Sequence, residues 1–224
     1  VFGYLGSFMS LMVYLAPMKV FTFRRIYKEK STVGHTFMPY IVAFFSSMLW
    51  MYYGLLGSTK PIIYINIVAC IIECIYILMY LYYASKTIRM KVGKFVGLGI
   101  VIVFVTIIVT YITLQNKIIF RIKIVGWVAT FFSLIVFGAP IKNVIEAFKT
   151  RNNEFVPIQL ICCLTLTGLA WLGYGLAKKE IVIIVSHSIY FSLFLFNDKR
   201  HNRNVPIRLQ NVYHTIYFSL FLYT

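Results

Sequence analysis

The sequence predicts an all-α membrane protein of seven transmembrane helices, arranged as a 3+1+3 parallel repeat of triple-helix bundles. Three observations carry that expectation. About 60% of the 224 residues are hydrophobic, whereas soluble domains run nearer 45–50%. The apolar residues gather into runs long enough to cross a bilayer. One of these runs returns in the second half of the chain with its polar residues in place.

A bilayer core about 30 Å thick needs ~20 apolar residues per helix. Runs of that kind fall at residues 2–22, 37–57, 61–83, 95–115, 124–144, 156–177 and 181–196. The last is the weakest, because its 16 residues rise only about 24 Å. Seven spans leave short loops and no room for a separate soluble catalytic domain. The chain opens at Val1 without a basic segment ahead of the first apolar run, so its start reads as trimmed. Cys70, Cys74, Cys162 and Cys163 all sit inside apolar runs and read as buried free thiols.

The net charge of +16 is spread in small groups between apolar runs, not gathered in one patch, which argues against a nucleic-acid partner. Its distribution sets an orientation instead. Sixteen of the 22 basic residues follow spans one, three, five and seven, among them Arg24, Arg25, Lys86, Arg89, Lys142 and Arg200. Six (Lys60, Lys117, Arg121, Lys123, Lys178 and Lys179) lie on the other side. The positive-inside bias places the N-terminus outside and the C-terminus in the cytosol. Metal-spaced clusters, a nucleophile elbow and paired carboxylates are absent from the sequence, so neither an enzyme nor a cofactor is expected.

The repeat is the most informative signal. At an offset of 123 residues, 3–20 lies on 126–143, and Gly3/Gly126, Ser10/Ser133, Val13/Val136, Ala16/Ala139, Pro17/Pro140 and Lys19/Lys142 are identical pairs. FMP at 37–39 answers FVP at 155–157, and Trp50-x-x-Tyr53-Gly54-Leu55 answers Trp171-x-x-Tyr174-Gly175-Leu176. Three helices repeat around an unrepeated one. This divides the chain into a first triple-helix repeat at 2–83, a linker helix at 95–115, a second repeat at 124–196 and a divergent cytosolic tail at 197–224. An odd linker gives both halves the same orientation, and carriers built this way hold their substrate near the midplane between the halves.

Within each half, Ser46 shares a helix face with Trp50 and Thr167 with Trp171, four residues apart. An indole against a sugar's C–H face, with hydroxyl or amide groups at its edges, is the chemistry that a neutral polyol needs. Residues 15–55, the run YINIVACIIECIYI at 64–77, and residues 125–160 closely resemble the plant SWEET sugar transporters. The resemblance covers residues 2–185 and is specific in its proline, tryptophan and asparagine placements.

That resemblance implies a facilitative uniporter moving a mono- or disaccharide by alternating access. It implies a sugar pocket of Ser10, Val13, Ser46, Trp50, Asn66, Ser133, Val136, Thr167 and Trp171. It further implies a hinge of Pro17, Pro39, Pro140 and Pro157, and an external gate of Tyr53 and Glu180. Small side chains at Val13 and Val136 go with sucrose-type members, which favours sucrose over glucose. Implied too are a lipid bilayer, most simply the plasma membrane, and homo- or hetero-oligomers with homologues.

The chain departs from the family at two places. Sixteen residues after Trp50 comes Asn66, but sixteen after Trp171 comes His187, where the family has asparagine. An imidazole can donate and accept hydrogen bonds, yet unlike an amide it can also carry charge. After residue 185 the family pattern fades, and HSIYFSLFLF at 187–196 recurs as HTIYFSLFLYT at 214–224. That duplication raises the alternative of a non-transporting homologue that acts as a membrane scaffold or oligomer partner. Glu73, the one carboxylate within a span, is functional by default; the resemblance makes it a polar contact near the cytosolic end.

Overall fold

A computed structural model describes residues 2–19, 22–150 and 158–189, apart from the side chains of 16–19, 22, 137–150 and 158–162. Among the described residues the only regular structure is helical: α1 (Phe2–Lys19), α2 (Thr22–Glu29), α3 (Met38–Leu56), α4 (Lys60–Tyr83), α5 (Lys86–Thr113), α6 (Ile118–Thr150) and α7 (Ile158–Lys178). An eighth helix, α8, is described over 181–189. The tail at 197–224 and the end of the seventh predicted span lie outside the described residues.

Proline and glycine mark the helix ends. Pro39 and Pro61 stand in the first turns of α3 and α4, where the missing N–H costs nothing. The α3–α4 and α7–α8 turns are the same turn built twice. Ser58 and Lys179 take positive φ of 52° and 56°, and the Thr59 and Glu180 amides each donate to the carbonyl five residues earlier, Gly54 O and Gly175 O, at 2.9 Å. Such a bond satisfies a carbonyl that the helix end leaves unpaired. The glycines are needed for close approach. A Cβ on Gly54 would sit 3.0 Å from Ile63 Cγ1 and 3.2 Å from its amide nitrogen; on Gly175 it would meet Ile184 at 3.0 and 3.1 Å.

Two helices extend beyond their apolar runs. α5 begins at Lys86, nine residues before the apolar run at 95, and α6 runs on both sides of 124–144. Counting apolar residues finds the part of a helix that sits in hydrocarbon. The backbone hydrogen bonds continue past it, because Lys and Arg are good helix formers whose charged heads can reach water. The short α2 follows the first apolar run, where hydropathy marks no helix. It buries Phe23 and Ile26, with the Phe23 ring stacked 4.3 Å from Tyr76, and leaves Arg24, Arg25 and Lys28 outside.

The outside of the helix bundle is apolar. Ile100, Val101, Phe104, Val105, Ile108, Val109 and Ile112 of α5 are all exposed, a patch far larger than a water-soluble protein presents. Four described helices are long and apolar enough to cross a membrane. The cysteine expectation is corrected on the same ground: Cys74 is an exposed free thiol and Cys70 and Cys163 are only half-buried, while the Cys162 side chain lies outside the described residues. In a membrane protein an apolar side chain is at home facing lipid, so an apolar run does not by itself place a thiol inside.

Inside, α3 packs on α4 and α1 on α4 within the first half. Contacts between the halves run crosswise, α1 against α7 and α3 against α6. Gly3 of α1 lies under the Tyr174 ring and Pro61; Gly126 of α6 lies under the Tyr53 ring and Val182. The linker α5 docks on α3, where Gly99 leaves space that the Phe45 ring fills.

Candidate functional site

The crosswise packing leaves a cavity of about 120 Å³ between the halves, smaller than the ~300–1,000 Å³ usual for ligand pockets. Eight of the ten pocket residues expected from the sequence line it: Ser10, Ser46, Trp50, Asn66, Ser133, Thr167, Trp171 and His187. Val13 and Val136 do not; both are half-buried on the same helices. The expectation missed Tyr14, Ile62, Ile65 and Ile183. Periodicity could have found three of them, since Tyr14 lies one turn after Ser10, and Ile62 and Ile183 lie one turn before Asn66 and His187.

Each indole reaches across to the opposite half. Trp50 Nε1 of α3 donates to Ser133 Oγ of α6 at 2.9 Å, and Trp171 Nε1 of α7 donates to Ser10 Oγ of α1 at 3.0 Å. Each ring also meets its own Tyr edge-on, Trp50 with Tyr53 at 5.2 Å and Trp171 with Tyr174 at 5.5 Å. Asn66 and His187 are held alike: Asn66 Nδ2 donates to Ile62 O at 2.8 Å, and His187 Nδ1 lies 2.9 Å from Ile183 O. Ser186 Oγ lies 3.0 Å from the same Nδ1, so the ring's tautomer decides whether that nitrogen donates to Ile183 O or accepts from the serine. The His187 ring leans on Trp171, with centroids 6.3 Å apart.

The two edges differ in one hydroxyl. Ser46 Oγ lies 2.8 Å from Ser133 Oγ, whereas its counterpart Thr167 has a buried Oγ1 without a partner among the described residues. At one end of the cavity the Tyr53 hydroxyl donates to Glu180 Oε2 at 2.9 Å, a tie between the halves. Beside it, Arg121 donates to the Tyr52 hydroxyl and stacks 5.0 Å from the Tyr111 ring centroid, joining α6 to α3 and α5. Toward the other end, Glu73 is buried with Oε2 unpartnered among the described residues.

The four prolines are not gathered by any described contact. Pro39 is half-buried near the start of α3. Pro17 and Pro140 fall within α1 and α6 at positions whose side chains lie outside the described residues, as does Pro157 altogether.

Lipid-facing helices enclosing a polar, aromatic cavity define an integral multi-pass membrane protein. A family described as sugar efflux transporters for intercellular exchange matches residues 1–88 and 123–197. Bidirectional sugar transporter SWEET15 of Oryza sativa subsp. indica is 39% identical over 192 residues, covering 85% of this chain and 59% of that protein. Bidirectional sugar transporter N3 of Medicago truncatula is 42% identical over 184 residues, covering 81% of this chain and 67% of its own length. The solved structure of a eukaryotic SWEET transporter superposes with a TM-score of 0.76 at 22% identity, covering 88% of this chain and 91% of that one. That likeness speaks for the 3+1+3 fold. The chain belongs to the SWEET family. It spans about three fifths of the length of the first curated relative.

Proposed function

We propose that this chain is a facilitative sugar transporter, a uniporter that moves a mono- or disaccharide across a membrane by alternating access between its two repeats. The crossed pair of indoles around a polar cavity carries the reading. Two aromatic faces with serine, threonine and amide groups at their edges suit a neutral polyol, and the described wall holds no charged group that a carboxylate substrate would want. A wall without a carboxylate also fits diffusion down a gradient better than coupling to protons.

The proposal places the sugar against Trp50, Asn66, Trp171 and His187, with Ser10, Ser46, Ser133 and Thr167 in the surrounding wall. The Tyr53–Glu180 bond serves as the external gate and the four prolines as the hinge. A cavity of 120 Å³ fits a contracted state between the two open ones. The first and second repeats are 2–83 and 124–196, joined by the linker helix, with the C-terminus cytosolic in the plasma membrane. Sucrose is the favoured sugar, on the family resemblance at Val13 and Val136.

Uptake of labelled sucrose and glucose into a transport-null host tests this. Uptake should follow the sugar gradient and persist when a protonophore collapses the proton gradient, and Asn66→Ala should abolish it without loss of membrane insertion. Accumulation against a gradient sinks the uniporter. A second reading, a non-transporting partner of intact homologues, rests on the duplicated segment at 187–196 and 214–224. It expects no uptake by the chain alone and altered uptake by a co-expressed homologue.

A further inference from the structure

Among the hydroxyls of the cavity wall, Ser133 alone is tied to the opposite half twice. A serine hydroxyl has one proton to give and two lone pairs to share. Ser133 Oγ donates to Ala129 O at 3.0 Å, accepts from Trp50 Nε1 at 2.9 Å, and meets Ser46 Oγ at 2.8 Å. With its proton on Ala129 O, the Ser46 contact is one it accepts, and all three capacities are used. The Trp50 indole has a single N–H, and that is used as well. A sugar hydroxyl can therefore reach Ser133 or the Trp50 N–H only by breaking a bond that already exists.

The opposite edge is not closed in this way. Among the described residues, Ser10 receives the Trp171 indole alone, and Thr167 Oγ1 has no partner. The two closing bonds at Ser133 both join α3 of the first half to α6 of the second, the helices whose separation would open that side of the cavity.

We propose that Ser133 is a latch, not a sugar ligand: in the sugar-free protein it clasps Ser46 and Trp50 across the two halves, and sugar binds by releasing that clasp. This rests on the reading of the cavity as a sugar site. It assigns opposite roles to two serines that the repeat makes equivalent, with Ser133 opposing sugar and Ser10 on the edge left open to it. Releasing one buried hydrogen bond, at roughly 1 kcal/mol net, corresponds to about a fivefold change in affinity.

The chain has three tryptophans, so its indole ¹⁵N–¹H spectrum in nanodiscs holds three signals, assignable by Trp→Phe substitution. Titration with sucrose and with glucose, followed on the Trp50 signal, reads the clasp and the sugar together without requiring transport. In Ser133→Ala the Trp50 N–H should lose its partner, exchange faster with solvent, and show sugar binding about fivefold tighter than in the parent. Ser133→Cys, close in size and weak as an acceptor, should tighten binding in the same direction and stands in if the alanine variant folds poorly. Ser10→Ala should move the Trp171 signal and weaken sugar binding, because it removes a hydroxyl from the edge left open to sugar. Weaker sugar binding in both Ser133 variants would make the residue a ligand and overturn the latch, and so would unchanged affinity. If neither sugar moves any indole signal in the parent, the sugar-site reading itself fails, and the latch falls with it.

Discussion

The α3/α6 edge and the α1/α7 edge of the cavity come from one sequence pattern used twice, yet only the first closes on itself. Both set a small residue under a tyrosine ring, Gly126 under Tyr53 and Gly3 under Tyr174. Both send an indole to the serine of the other half's first helix. The divergence begins where Ser46 faces Thr167. The serine hydroxyl reaches across to Ser133, while the threonine's Oγ1 is buried without a described partner. A β-branched side chain has few χ1 choices, and one methyl group decides which way the oxygen points. An unsatisfied buried hydroxyl costs about 1–3 kcal/mol, enough to make one edge tighter than the other within a symmetric frame. A repeat fixes where helices and turns go; it does not fix whether every hydrogen bond is completed.

The largest expected effect breaks both edges. Trp50→Ala and Trp171→Ala should each lower initial sugar uptake by at least about tenfold, since an alanine removes the stacking face outright. A normal rate in either variant would take that edge out of the site.

Helix packing separates what is symmetric from what is not. Gly99→Ala drives a methyl group into the Phe45 ring and should lower stability by about 1–3 kcal/mol, read as a drop in thermal midpoint in detergent. Gly54→Ala and Gly175→Ala meet near-identical neighbours, so their smaller losses should match. A clear difference between that pair would mean that the two turns are not equivalent in solution.

A third experiment swaps the edges. Thr167→Ser frees the hydroxyl to turn toward Ser10 and should gain up to about 1 kcal/mol, whereas Ser46→Thr should lose a similar amount. Thermal midpoints moving the same way in both variants would deny that this position sets the difference.

The smallest effect concerns Asn66 against His187. Imidazole is the side chain whose charge ordinarily changes between about pH 5 and 8, and Tyr14 is the only other titratable group lining the described cavity. Acidification that charges this group in an otherwise neutral wall should weaken sugar binding a few-fold in the parent. His187→Asn should flatten the profile. A profile already flat in the parent would place the imidazole away from the sugar.

Much of this was legible before any coordinates. The repeat, which returns Ser10 as Ser133 and the Trp50-x-x-Tyr53-Gly54-Leu55 motif as Trp171-x-x-Tyr174-Gly175-Leu176, marked all four residues, because chance matches are common among apolar residues in such a chain and rare among serine and tryptophan. The Asn66/His187 pair followed from counting sixteen residues past each tryptophan. Val13 and Val136 share the same repeat but do not line the cavity, and in the first half the neighbouring Tyr14 takes the wall instead. The start of α5 at Lys86 escaped because hydropathy reports where lipid is, not where the backbone stops being helical.

The sequence by itself determined the membrane class, the number and order of apolar spans, the duplicated half and the residue types that meet in its middle. These depend on composition and on periods along one chain. Only the tertiary structure decided that the halves pair crosswise, that each indole is satisfied by the opposite half, and that Ser133 is saturated while Thr167 is not. Hydrogen bonds between α3 and α6 join residues more than eighty positions apart. Their geometry depends on ångström-scale placement of two helices and on single rotamers, which no spacing along the chain encodes.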